Sequence, residues 1–167
     1  MDRETYLFHQ TPPELCKKLM EYIPLEEGDI ILEPFKGEGG FYNHFPTNTI
    51  NEWCELEQGR CYTSYTGQID WVITNPPFKL ETDKGRVNSF SYLLNYYIDR
   101  ATKGVAFLAN YSCWGSLTPK RVNEINKKGW YLQKAVVCNV KKWSGRYYLL
   151  IFQKKPNDIF PVITGSF

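Results

Sequence analysis

At 167 residues the chain is long enough for one domain with a real core, and its 43% hydrophobic and 16% aromatic content excludes a disordered chain. A net charge of +2 excludes a broad attractive field for nucleic acid, so any such partner must be met by local basic clusters. The five cysteines are scattered and form no Cys-x-x-Cys pair, and His9 and His44 are not placed to complete a ligand set. Free thiols and no metal site are therefore expected.

Residues 12–22 read as a helix, with Thr11 as N-cap, Pro12 or Pro13 in the first turn, and Leu15, Leu19, Tyr22 and Ile23 as its apolar stripe. Residues 29–33 read as a short buried strand that runs into the loop Pro34-Phe35-Lys36-Gly37-Glu38-Gly39-Gly40. Glycines there allow positive φ and a close backbone approach to a ligand. Glu33 at the strand end can accept from an amino or hydroxyl group. The third glycine of a dinucleotide loop and the Lys-Ser/Thr ending of a P-loop are both missing, which argues against those cofactors. Alone, such a loop is also an ordinary tight turn.

A second strand is expected near 49–55. Glu55 at its end has the carboxylate that can take both hydroxyls of a ribose. Only 14 residues, 56 to 69, lead to the next strand at 70–74. Two complete crossovers need far more, at least ~10–12 residues each, so the sheet is expected to be reduced at one edge. A stub strand at Tyr62-Thr63-Ser64-Tyr65 is the expected remnant.

The 70–74 strand ends in Asn75-Pro76-Pro77-Phe78. Two prolines fix φ and remove two donors, and the residue before a proline is pushed toward extended geometry. The turn thus offers one amide, carbonyls without local competitors and a flat ring, which suits a planar amine. Residues 79–90 are polar and read either as a substrate-ordered lid carrying Lys79, Lys84 and Arg86 or as a solvated connector. A helix follows at 90–101, a buried strand at 104–109, and a Thr118-capped helix at 118–127. Tyr111 and Trp114, with the Asn110 amide, either line a ligand pocket or belong to the core. Strands at 131–140 and 146–154, joined through Ser144-Gly145, read as an antiparallel hairpin. Lys141, Lys142, Trp143 and Arg146 flank that turn. They read either as a site for phosphate contact and base stacking or as an ordinary charged turn.

Taken in order, Thr11-Pro12-Pro13, Glu33 to Gly39, Glu55 and Asn75-Pro76-Pro77-Phe78 resemble the S-adenosylmethionine-dependent amino-methyltransferases acting on adenine N6 in DNA and RNA. The motif order matches their gamma class, and the resemblance covers roughly residues 6–154. It implies an α/β fold with the Rossmann-like class I methyltransferase sheet, mostly parallel with a C-terminal antiparallel hairpin. It implies a single domain over 1–167 without a separate target-recognition domain. The cofactor it implies is S-adenosyl-L-methionine, held by Thr11, Glu33, Pro34, Phe35, Gly37, Gly39, Glu55, Leu56 and Asn75. The catalytic turn is Asn75, Pro76, Pro77 and Phe78, with Asn75 and the Pro76 carbonyl accepting from the target amine and Phe78 stacking on the base. Lys79, Lys141, Lys142, Trp143 and Arg146 are the substrate-binding candidates. The implied partner is DNA or RNA, with target choice left to the loop after Phe78, the end hairpin or a partner subunit. Two alternatives stand beside it: a protein methyltransferase for glutamine amides, and a non-catalytic partner subunit that keeps the fold. The N-terminus is polar and no apolar run reaches spanning length, so no membrane partner and a cytoplasmic location are expected.

Overall fold

The structure is a computed structural model that describes residues 10–155 apart from 84 and 140. Lys84 therefore lies outside the described residues. The first helix, α1, spans Pro13–Met20, followed by strand β1 at Ile30–Glu33 and β2 at Ile50–Trp53. Strand β3 covers Trp71–Thr74, and a small hairpin follows as β4 (Lys79–Thr82) and β5 (Gly85–Asn88). Helix α2 (Ser89–Ile98) leads to β6 (Gly104–Asn110), the short α3 (Tyr111–Gly115) and α4 (Pro119–Lys127). Strands β7 (Tyr131–Cys138) and β8 (Tyr147–Gln153) close the sheet.

The main sheet has six strands in the order β2-β1-β3-β6-β8-β7. Strands β2, β1, β3 and β6 are mutually parallel, whereas β8 runs antiparallel to β6 and to β7. This is the reading made from sequence: a mostly parallel α/β sheet, an antiparallel end and a reduced edge. Beyond β2 no further strand is added among the described residues. Segment 62–65 is not a stub strand. The Cys61 carbonyl accepts from both the Ser64 amide (3.0 Å) and the Ser64 hydroxyl (2.6 Å), which closes a 3-10 turn over Tyr62–Ser64.

Alternate residues of each inner strand feed two cores. Leu32, Val72, Val105, Phe107, Leu150 and Phe152 pack with Phe90, Leu93 and Tyr97 of α2 and Ile125 of α4. On the other face Ile31, Ile73, Ala106, Leu108, Leu149 and Ile151 pack with Cys16 and Leu19 of α1. Among the described residues that second face has one α-helix, because the connection from β1 to β2 carries just a 3-10 turn at Tyr42–His44. Aromatic rings from loops, Phe41, Phe45 and Trp143, complete its cover. Each buried ring of this size removes enough apolar surface from water to contribute about 2–3 kcal/mol.

The polar segment after Phe78 is a hairpin, not an irregular connector. Its strands pair from Lys79↔Asn88 to Thr82↔Gly85, and Gly85 takes φ +92° at the turn. Only Leu80 reaches the core, so the alternation that marks a strand is nearly silent in sequence.

Candidate active site

In an open α/β sheet, ligands bind beyond the carboxyl ends of the parallel strands. Glu33, Glu55, Asn75 and Asn110 follow four adjacent strands at that one end. The antiparallel register Asn110↔Tyr147 brings residues 141–146, just before β8, to the same end.

The glycine loop leaves β1 with Gly37 at φ +52° and Gly39 at φ +84°, values that favour glycine. A Cβ on Gly37 would lie 2.4 Å from the Gln10 Oε1, and one on Gly39 would lie 2.8 Å from the Asn43 amide. The loop is thus a close-approach cradle. The Glu55 carboxylate accepts from the Gly37 amide at 2.6 Å and from the Glu57 amide at 3.3 Å, which ties the end of β2 to the loop. A carboxylate has about four acceptor positions, so two contacts leave it free to take hydroxyls as well. Leu56 beside it is exposed, and Phe35 stacks with Tyr62 at 5.3 Å.

Glu33 is 2% exposed. Its Oε2 accepts from the Tyr42 amide at 2.7 Å. Burial pushes its pKa well above the usual carboxylate range, against the smaller lowering by the Tyr42 amide and Lys36. Lys36 itself lies over the Trp53 ring at 4.3 Å, and Arg60 lies over the same ring at 4.1 Å.

The Asn75 amide donates to the Thr11 hydroxyl at 3.1 Å, across 64 residues of chain. Thr11 therefore does not cap α1. The N-cap is Pro12, whose ring has no acceptor to offer, and Glu14 in the first turn suits the helix dipole. In the turn, Ser89 donates its hydroxyl to the Pro77 carbonyl and its amide to the Phe78 carbonyl. The Pro76 carbonyl has no such contact among the described residues. Pro76 is buried, Pro77 and Lys79 are exposed, and Phe78 is 47% exposed despite its large apolar ring.

Gln10 gave no local signal in the sequence, because its contacts span 28 and 132 residues. Its side-chain oxygen accepts from the Glu38 amide at 3.0 Å, and its backbone carbonyl accepts from Lys142 at 2.6 Å. Lys142 thus braces the segment that crosses the glycine loop, and burial lowers its pKa. Trp143 is 7% exposed and packs on Tyr147 at 4.7 Å. The ring expected as a stacking surface lies in the core of the face that α1 covers. Lys141 and Arg146 remain exposed.

No family model matches this chain, and no curated protein matches it in sequence. Solved structures match it in fold. A protein of Listeria monocytogenes assigned to the class I S-adenosylmethionine-dependent methyltransferases superposes with a TM-score of 0.66 at 15% identity, over 93% of this chain and 64% of that one. A modification subunit assigned to a type I restriction enzyme of Vibrio vulnificus gives 0.62 at 17% identity, over 87% of this chain and 44% of that one. The chain has the class I methyltransferase fold. That fold does not choose an acceptor: the magnesium protoporphyrin IX methyltransferase of Synechocystis, with bound SAH, gives 0.54 at 9% identity. The chain spans 64% and 44% of the length of the first two proteins. No helix among the described residues is long and apolar enough to cross a membrane.

Proposed function

We propose that this chain transfers a methyl group from S-adenosyl-L-methionine to the exocyclic N6 of adenine in DNA or RNA. The observation that carries the reading is the Asn75-Pro76-Pro77-Phe78 turn at the end of β3, with Asn75 tethered to Thr11 beside the glycine loop. The methyltransferase fold supports the donor, and the modification subunit among its structural neighbours supports a nucleic-acid acceptor. The residues present fit the donor on their own chemistry. Gly37 and Gly39 take positive φ and let the backbone pass close to the Gln10 and Asn43 side chains, Glu55 keeps acceptor positions for ribose hydroxyls, and Phe35 and Leu56 offer apolar surface. Thr11, Glu33 and Pro34 complete that set in this reading.

Bound there, S-adenosylmethionine supplies an electrophilic methyl on a sulfonium. The chain's own work falls on the amine. The lone pair of an aromatic amine is delocalised into its ring, which makes it a poor nucleophile. Asn75 Oδ1 and the Pro76 carbonyl oxygen accept from its two N–H bonds and draw the nitrogen toward tetrahedral geometry. Asn75 Oδ1 is left for this because the amide nitrogen donates to Thr11. Preorganised acceptors in a site shielded from water contribute several kcal/mol, on the order of an oxyanion-hole donor. Phe78, exposed at the turn, stacks on the base and fixes its plane. A base in a duplex or stem must be flipped out to reach this turn. The chain's partner is DNA or RNA, with a partner subunit supplying target choice, and it acts in the cytoplasm.

The test is transfer of radiolabelled methyl groups to DNA, RNA and protein, followed by digestion to nucleosides. Label is expected in N6-methyladenosine or its deoxy form. Label in protein alone, or in another nucleoside, overturns the reading. Asn75→Ala is expected to lose transfer by at least about 100-fold, far more than any loss of S-adenosylmethionine affinity read by calorimetry. Near wild-type transfer by that variant removes the role given to the turn.

A further inference from the structure

Two rings stand out on the carboxyl end of the sheet. Tyr111 is 65% exposed and Trp114 is 42% exposed, both on the short α3 that follows β6. Exposed aromatic surface of this size costs free energy in water and asks for a partner. Both rings are anchored. The Tyr111 amide donates to the Arg146 carbonyl at 3.1 Å, and its ring lies against Gly145, where a Cβ would sit 3.4 Å from Cδ1. Trp114 packs at 5.5 Å and 33° on Tyr148. The Asn110 side chain caps α3 by accepting from the Cys113 amide at 3.1 Å, so the helix presents the rings in a fixed position.

Two cations stand in the loop beside them. Lys141 and Arg146 belong to the same loop as Gly145, are exposed, and make no ion pair among the described residues. Strand β6 lies next to β3, so this surface borders the turn that carries exposed Phe78. Rings that offer faces, with a few cations beside them, match unpaired nucleotides. Every base has a face to stack when it is single-stranded, whereas a duplex covers those faces and presents edges and phosphates. The modest net charge points the same way, since duplex affinity rests on many phosphate contacts.

We propose that Tyr111 and Trp114, flanked by Lys141 and Arg146, form a stacking platform for single-stranded nucleotides adjoining the target base. The inference rests on the nucleic-acid reading of the site. One edge of Trp114 also lines an apolar hollow of about 120 Å³ with Leu117, Ile125 and Phe152, so Tyr111 is the cleaner position to change.

The test is fluorescence anisotropy of a labelled adenine-containing single strand of about ten nucleotides, without cofactor, beside calorimetry of S-adenosylmethionine binding. Tyr111→Leu, which keeps apolar bulk and loses the ring, is expected to weaken strand binding about tenfold or more. Tyr111→Phe is expected to bind as wild type, and both variants to keep their cofactor affinity. The logarithm of the binding constant is expected to fall with the logarithm of salt concentration at a slope near −1.4, about −0.7 for each of two phosphates. Unchanged binding by Tyr111→Leu, equal affinity for a duplex of the same sequence, or no binding by the wild type overturns the platform. Loss of strand binding with cofactor affinity intact leaves the methyl-donor reading standing. Strand binding without cofactor binding does the reverse.

Discussion

The Asn75 amide and the Thr11 hydroxyl define what this site asks of single residues. An amide can turn either end toward a ligand; here its N–H end donates to Thr11 at 3.1 Å, which leaves Oδ1 as the end available to a ligand. The family resemblance put both residues in one expected site, whereas the local sequence alone read Thr11 as a helix cap. Their contact was not legible, since a separation of 64 residues leaves no local pattern. Glu33 yields a prediction at the same scale. Burial raises its folded-state pKa above the unfolded value near about 4.3. The folded state therefore holds this proton to higher pH, and ionising the carboxyl costs stability as pH rises from the unfolded pKa to the folded one. Below about pH 4 the cost is absent. Relative to Glu33→Gln, the wild type should lose stability as pH rises from about 4 toward neutrality, read from urea midpoints. A difference that stays constant across that range rules out a raised pKa.

Elements were readable where burial shapes sequence and unreadable where it does not. Strands β1, β3 and β6 are buried runs, and α4 carries its signal in Thr118, which accepts from the Arg121 amide at 3.4 Å, with Pro119 next. The hairpin of β4 and β5 escaped notice because Leu80 and Val87 are its only large apolar residues, while Lys79, Glu81 and Arg86 face solvent. The short α3 was equally silent: its cap is an Asn that ends a strand, and its length is five residues. Between β3 and β6 the register Trp71↔Gly104 sets a tight joint. A Cβ on Gly104 would come within 2.4 Å of three atoms of the buried Trp71 ring, which cannot swing away as a surface side chain would. Gly104→Ala is expected to destabilise the protein by about 3 kcal/mol, at the upper end of overpacking costs. A urea midpoint within experimental error of wild type refutes this joint.

At the scale of the whole molecule, a truncated sheet must still bury two faces. The 14 residues between Glu55 and Asp70 announced the missing edge. What they did not announce is how the face with only α1 is closed. Loop rings do that, so Trp143 was drawn inward from the surface role its basic neighbours suggested. The thiols offer a probe of that closure. All five cysteines are free; Cys16, Cys54, Cys113 and Cys138 are buried, and burial raises the pKa of each. Cys61 alone is partly exposed. In native buffer near pH 8, one thiol equivalent is expected to react quickly with a disulfide reagent, and four only after denaturant is added. Fast reaction of more than one thiol contradicts the sealed core.

The link from Gln10 to the glycine loop has a thermodynamic consequence. The Glu38 amide is already engaged by Gln10, the Gly37 amide by Glu55, and the Gly39 amide by the Lys36 carbonyl. A ligand group arriving at Glu38 must compete with a tethered rival rather than displace water. A tethered group acts at an effective concentration of order millimolar. The measured dissociation constant is then a difference, between what the ligand gains and what Gln10 relinquishes. The Gln10 carbonyl accepts from Lys142, 132 residues along the chain, so the rival at Glu38 is held from beside the hairpin turn as well as by its own backbone. Any coupling between the loop and Lys142 is reciprocal, and the factor by which one changes the other is the same in both directions.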